Sequence, residues 1–416
     1  MKRLTSAIAV VGLAASLLFA GVGSAAADQI RDREYWLTEY GITAAWNTTK
    51  GKGVTIAIID TGVDGSHVDL QGSVAGGTDV SGLGSSNGQT PVGINNEHGT
   101  MVASLAVGRG HGDGNAEGII GSAPDAKILA ISIAFGSGAR NSDDQIAEAV
   151  RWAVDHGANV INMSLTRNSL EWPESWDDAF LYAFEHDVVI IAAAGNRGSG
   201  TTEVGAPATI PGVLVVGGVD RGGSASFDAS SQGVTIAVSA PSEELVGAAP
   251  GGGYYTWAGT SGAAPIVAGV VALVRAAHPD LDAANVINRI TATATNPGVA
   301  LPSPIYGYGL LDANAAVNAN VAAVSGSPAQ ELKDWIHIHR RAPSGQTPGP
   351  TGTPTVSPTP VQAPHADAIN PLGTVLPTNA QLRDVGIPLL VFSAFLLLLI
   401  VWIITFVRRV RAPRRT

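Results

Sequence analysis

The sequence predicts an α/β fold in which a mainly parallel sheet lies between layers of helices. Two observations carry this. Apolar runs of strand length alternate with longer amphipathic runs through the middle of the chain, which is the βαβ pattern. In addition, Val54 to Ile59 is an unbroken apolar run that ends on Asp60, as expected of a strand buried on both faces with a carboxylate at its C-terminal end. Taken in order, the first strand occupies this run, and the next is Lys127 to Ile133. A helix follows over Asp144 to His156, then a strand over Val160 to Ser164, a helix over Asp177 to His186 and a strand over Val188 to Ala194. Ser261 to Val274 is apolar almost throughout and reads as a buried helix, with Pro265 tolerable only in its first turn.

Composition narrows the function. The net charge is −10 even with the arginine-rich tail included, so the remainder is more acidic still and nucleic acid is not an expected partner. There is no cysteine, consistent with an exported protein that carries no disulfides.

Three short segments hold the chemistry: Ile58-Ile59-Asp60-Thr61-Gly62, Glu97-His98-Gly99-Thr100 and Gly259-Thr260-Ser261-Gly262. A serine hydroxyl is a weak nucleophile unless a base takes its proton, and His98 is the natural base for Ser261. A carboxylate such as Asp60 would hold the imidazole in one tautomer and stabilise its cation. Alone, each segment also reads as a turn or a helix cap. Together, in the order Asp, His, Ser and each on the element its role requires, they point to a serine hydrolase. Asn196, in Gly195-Asn196-Arg197-Gly198, reads either as a turn residue or as an amide donor to an oxyanion.

From Trp46 to Val317 the chain resembles the subtilisin-like serine proteases, peptidase family S8. Besides the triad segments, Ser66-His67-Val68-Asp69-Leu70, Gly121-Ser122-Ala123-Pro124, Val160-Ile161-Asn162-Met163-Ser164-Leu165 and Ala192-Ala193-Ala194-Gly195-Asn196 match the family's pattern. The resemblance implies a three-layer subtilisin-like fold and hydrolysis of polypeptide substrates, with Asp60, His98 and Ser261 catalytic and Asn196 the oxyanion donor. It further implies that Phe135, Gly136, Ser137 and Gly138 face Ser164 and Leu165 as two rails for an extended substrate, with Ala194 and Gly195 beside the specificity pocket. His67 is expected to be structural, and a cis bond is expected at Ala206-Pro207. Three departures stand out: Met101 and Gly262 where many relatives carry histidine and methionine, and Thr166-Arg167 where Gly-Gly is frequent. No cofactor is expected. No run of residues has the spacing of a calcium loop, although structural calcium stays open.

The chain ends set the location. Residues 1–27 read as a secretory signal peptide, with Lys2-Arg3, an apolar core and a small-residue cleavage site before Asp28. Residues 28–48 form a short extension, too brief for the bulky propeptide of many secreted relatives, and the peptidase domain occupies 49–324. Residues 325–384 are rich in Pro, Thr and Gly and read as an extended spacer, with Glu331 to Arg341 as an ordered remnant in which His337 and His339 are not metal ligands. Residues 385–407 carry no charge and would form a helix about 34 Å long, enough to span a bilayer. The basic tail, 408–416, then places the C-terminus in the cytoplasm and the catalytic body outside. This layout resembles the mycosins, membrane-anchored subtilisin-like proteases of actinobacterial type VII secretion, although mycosins often contain cysteine. The resemblance implies proteins of the secretion membrane complex as partners. Two roles follow: an endopeptidase acting on exported substrates, or a structural component of the complex with proteolysis dispensable.

Overall fold

In the computed structural model, residues 30–136 and 138–340 are described, together with the backbone of 367–368. The signal peptide, most of the spacer, the terminal span, the basic tail and Ser137 lie outside the described residues.

Seven strands form one parallel sheet: β1 (Thr55–Asp60), β2 (Val74–Asp79), β5 (Lys127–Ser132), β6 (Val160–Met163), β7 (Val189–Ala193), β8 (Leu214–Val219) and β9 (Ile236–Pro241). Their spatial order is β2-β5-β1-β6-β7-β8-β9, so β1 sits near the middle with β5 and β6 on either side. Two small antiparallel ladders flank it: β3 (Arg109–His111) with β4 (Glu117–Ile120), and β10 (Leu245–Ala248) with β11 (Tyr254–Trp257). Asp367–Ala368 (β12) adds to the free edge of β11.

The pleat of β1 decides where its carboxylate goes. Ala57 and Ile59 belong to the large core on one face of the sheet, shared with α4 (Ser142–Asp155) and α5 (Glu174–Glu185) through Ile146, Trp176 and Phe180. Successive side chains of a strand point to opposite faces, so Asp60 faces the other layer. That layer holds α3 (His98–Val107) and the central helix α6 (Thr260–Ala277). The carboxylate, the histidine and the serine therefore meet on one side of the sheet. On the opposite side α4 is fixed at its start by Asn141, whose side chain accepts from the Asp143 and Asp144 amides.

α6 is long and apolar enough to cross a membrane by length and composition, yet its 18-residue window is 83% buried inside the domain. It is the core helix on which the nucleophile candidate sits. Pro265 departs from expectation: it is the sixth residue of α6, in the second turn, where the Ser261 carbonyl would ordinarily receive its N–H. That carbonyl is instead satisfied by the Ser164 hydroxyl at 2.8 Å.

Residues 30–48 pack along the domain through α1 (Trp36–Glu39) and α2 (Ile42–Ala45), burying Trp36 and Ile42 completely. Arg31 donates to the Gly118 carbonyl on β4, the Tyr35 hydroxyl to that of Glu243 and the Trp46 indole to that of Ser122. At the other end, α7 (Pro328–His339) packs against α5 and buries Leu332 fully. Trp335 lies 4.2 Å from Trp172 between ring centroids, and Arg340 pairs with Asp177 at 2.9 Å while facing both indoles. The packed chain thus continues beyond residue 325, because Ala329 and Leu332 join the core and Trp335 and Ile336 pack against it. Ala206-Pro207 is cis as expected, and so is Leu301-Pro302.

Candidate active site

The C-terminal ends of β5, β1, β6 and β7 open into a cleft of about 240 Å³, in the place where parallel α/β sheets bind ligands. Asp60, His98, Asn196 and Ser261 all line it. Each is nearly buried, between 4% and 6% exposed, so charge interactions there are weakly screened by solvent.

His98 opens α3, and its Nδ1 lies 2.8 Å and 2.9 Å from the two oxygens of Asp60. The carboxylate is itself fixed by the Thr61 amide, which donates to Oδ1 at 2.7 Å. Burial opposes the imidazolium form of His98, but the charge of Asp60 and its hydrogen bond outweigh burial, and the pKa is raised above the ordinary 6.5. Trp257 closes the far side of the ring edge-on, with centroids 5.6 Å apart. It also explains Gly262. A β-carbon there would lie 2.2 Å from Leu245 Cδ1 and 3.2 Å from Trp257 Cζ2, so these two residues fill the space of a larger side chain. Met101 is buried beneath, against Gly247.

Ser261 is the second residue of α6, where the helix dipole favours negative charge. The backbone enters through Gly259 at φ +145°, a conformation that L side chains rarely adopt, with Asn196 packed against it. The Ser261 hydroxyl donates to the Ser164 carbonyl at 3.2 Å, and His98 Nε2 is buried without a partner among the described residues. A hydrogen bond from the serine to the histidine is therefore not formed in this arrangement, a common state of such pairs before substrate aligns them.

Asn196 follows β7. Its Oδ1 accepts from the Thr260 amide at 2.8 Å and from the Thr260 hydroxyl at 3.0 Å. With the oxygen committed, the side-chain NH₂ is the end left to donate. Thr260, absent from the sequence reading as a functional residue, orients Asn196; its position beside Ser261 in Gly-Thr-Ser-Gly was the available signal.

Of the residues expected to hold substrate, Phe135, Gly136, Ser164, Leu165 and Gly195 line the cleft. Phe135 and Gly136 do so as loop rather than strand. Ala194 and Gly138 fall outside the lining. Ala194 points into the small core beneath β7 with Val204 and Val215, and Gly138 lies near Leu83 on the surface. Residues 92–95 form a wall that sequence reasoning missed, and Ile94 is 78% exposed there. Thr166 also lines the cleft. Arg167, buried and paired with Asp143 at 2.6 Å, holds it in place, and the Arg167 amide donates to the Ala206 carbonyl. His67 is structural: it caps a single helical turn and bonds the Gly253 carbonyl. No group of three or more His, Cys, Asp or Glu among the described residues is placed to hold a metal ion.

A parallel sheet that presents Asp, His and Ser in one cleft is the arrangement of a serine-type hydrolase. The chain belongs to the subtilase family of S8 peptidases, whose model matches residues 51–309, and it is a serine endopeptidase. Subtilisin DY of Bacillus licheniformis is 37% identical over 270 residues, 64% of this chain and 92% of that protein. Among solved structures, the MycP3 protease from the type VII (ESX-3) secretion system is 31% identical at a TM-score of 0.59, over 69% of this chain and 88% of that one. MycP1, described as an essential component of the type VII (ESX-1) secretion system, is 30% identical at a TM-score of 0.55, over 68% of this chain and 88% of its own.

Proposed function

We propose that Ser261 attacks the scissile carbonyl, His98 takes its proton and returns it to the leaving amine, and Asp60 orients and stabilises the imidazolium. The observation that carries this reading is the pair of short contacts from Asp60 to His98 Nδ1, which commit the Nδ1 proton to the carboxylate and leave Nε2 as the base. Rotation of the Ser261 hydroxyl from the Ser164 carbonyl toward the unpartnered Nε2 completes the relay. The oxyanion is received by the Asn196 amide and the Ser261 backbone N–H. The rails are Phe135-Gly136 and Ser164-Leu165.

The base must be neutral, and its pKa lies above 6.5. Labelling by a serine-directed fluorophosphonate should therefore follow a single acid limb with its midpoint above 6.5, fast on the alkaline side and slow on the acid side. A rate flat between about pH 5 and about pH 8 would remove His98 from the mechanism.

The similarity to MycP3 and MycP1 supports a mycosin role, with the body outside the membrane, the terminal helix as anchor, and proteins of a type VII secretion complex as partners. A chain ended after Arg340 retains every described element of the main sheet and its helices. It is expected to keep its peptidase activity and to move from the membrane fraction to the soluble fraction. Retention in the membrane would count against residues 385–407 as the anchor. The second reading, a structural component for which proteolysis is dispensable, is favoured by the description of MycP1 as an essential component of its system.

A further inference from the structure

Pro265 poses a problem that the fold must answer. It lies inside α6, one turn after Ser261, and has no N–H to give to the Ser261 carbonyl. A buried carbonyl without a donor is destabilising, and here the residue concerned is the nucleophile candidate. The Ser164 hydroxyl takes the vacant place, donating to the Ser261 carbonyl at 2.8 Å. In turn it accepts from the Asn162 side-chain NH₂ at 3.0 Å, which fixes its rotor. The reverse contact, from the Ser261 hydroxyl to the Ser164 carbonyl at 3.2 Å, makes the two serines a reciprocal pair. Both are almost fully buried, at 3% and 4% exposure. The end of β6 and the first turn of α6 are thus joined by side-chain bonds where the helix lacks one of its own.

We propose that Ser164 is a positioning residue for the nucleophile: its hydroxyl replaces the helix hydrogen bond that Pro265 removes and sets the height of Ser261 between His98 and Asn196. This rests on the reading of Ser261 as the nucleophile. It differs from the part of Ser164 in the substrate rail, which belongs to the backbone and survives loss of the hydroxyl. Displacements on the scale of one ångström at a reacting atom are enough to lower turnover by about 10²-fold, so the bond matters to rate more than to substrate affinity.

The test is a double-mutant cycle of Ser164→Ala with Pro265→Ala, because alanine at 265 restores the N–H for which Ser164 substitutes. Alone, Ser164→Ala is expected to lower kcat by about tenfold to a hundredfold with KM changed less than about threefold, and to slow fluorophosphonate labelling in parallel. Pro265→Ala alone should stay within about threefold of the parent, and adding Ser164→Ala to it should cost no more than about threefold further. Should Ser164→Ala fail to fold, the comparison within the Pro265→Ala background still decides. An equal loss in both backgrounds overturns the proposal, as does a loss confined to KM, which would assign the hydroxyl to substrate. A Ser261→Ala control separates the two levels. If that variant still hydrolyses peptide, the nucleophile reading fails; if it is inactive while the cycle is additive, only the positioning role fails.

Discussion

Ser261→Ala is expected to reduce kcat by about 10⁶-fold, the loss found on removing the nucleophile of subtilisin, a relative in this same family, and to abolish fluorophosphonate labelling. The size follows from what is removed. In the proposed mechanism, loss of the hydroxyl removes the acyl-enzyme and leaves only binding and oxyanion stabilisation by Asn196 and the residue 261 amide. The fold should be little affected, because the Ser164 hydroxyl still reaches the residue 261 carbonyl and the side chain lost is small and makes one 3.2 Å bond. That combination of inactive and intact makes the variant a probe of physiology. Introduced in place of the native chain, it is expected to block whatever step depends on cleavage, while a full deletion also removes the body. If export continues unchanged with Ser261→Ala but stops on deletion, the chain's role in secretion is structural and the purely enzymatic account of it fails. If both stop export, cleavage itself is required.

Much of this architecture was legible because buried parallel strands and their helices leave strong periodic signals. Val54 to Ile59 and Val188 to Ala194 could hardly be anything else, and Asp60 had to lie at the open end of its strand. Details that depend on direction were less accessible. In Ala192-Ala193-Ala194 every side chain is the same, so the sequence does not distinguish the residue that faces the cleft from the one that packs beneath it. The structure assigns Ala193 to the cleft and Ala194 to the core. Pro265 read as a first-turn residue because the cost of proline deeper in a helix is judged from the helix alone, whereas the relief comes from Ser164, 97 positions from the Ser261 carbonyl that it satisfies. Thr260 escaped for the same reason: its partner Asn196 is 64 residues distant and on another element. The helix Pro328–His339 was legible in part: Glu331 to Arg341 read as ordered, but its start at Pro328 and its seat on α5 depend on Trp172, which supplies the opposing surface.

Asp60→Asn is expected to lower kcat on the order of 10⁴-fold while substrate binding changes little, and the geometry explains why a nearly isosteric change should cost so much. Both carboxylate oxygens lie within 2.9 Å of His98 Nδ1, so either orientation of an asparagine amide brings its NH₂ against that nitrogen. Two donors cannot face each other at that distance, and the imidazole proton moves to Nε2. In that tautomer Nε2 cannot accept from Ser261. The Thr61 amide biases the amide further, since it needs an oxygen at the Oδ1 position, which leaves the NH₂ at Oδ2. The charge is lost as well. Burial then acts on His98 without Asp60 to oppose it, so the acid limb of kcat/KM should move to lower pH than in the parent, where Asp60 raises the pKa. Stability carries the opposite sign. A histidine whose pKa is raised on folding stabilises the native state fully below its unfolded value of about 6.5, and that contribution is lost as pH rises through the folded value. Asp60→Asn should therefore destabilise the fold more at about pH 5.5 than at about pH 8.5 when unfolding is followed with denaturant. A catalytic loss below tenfold, or an acid limb that does not move, would show that Asp60 does not orient the base.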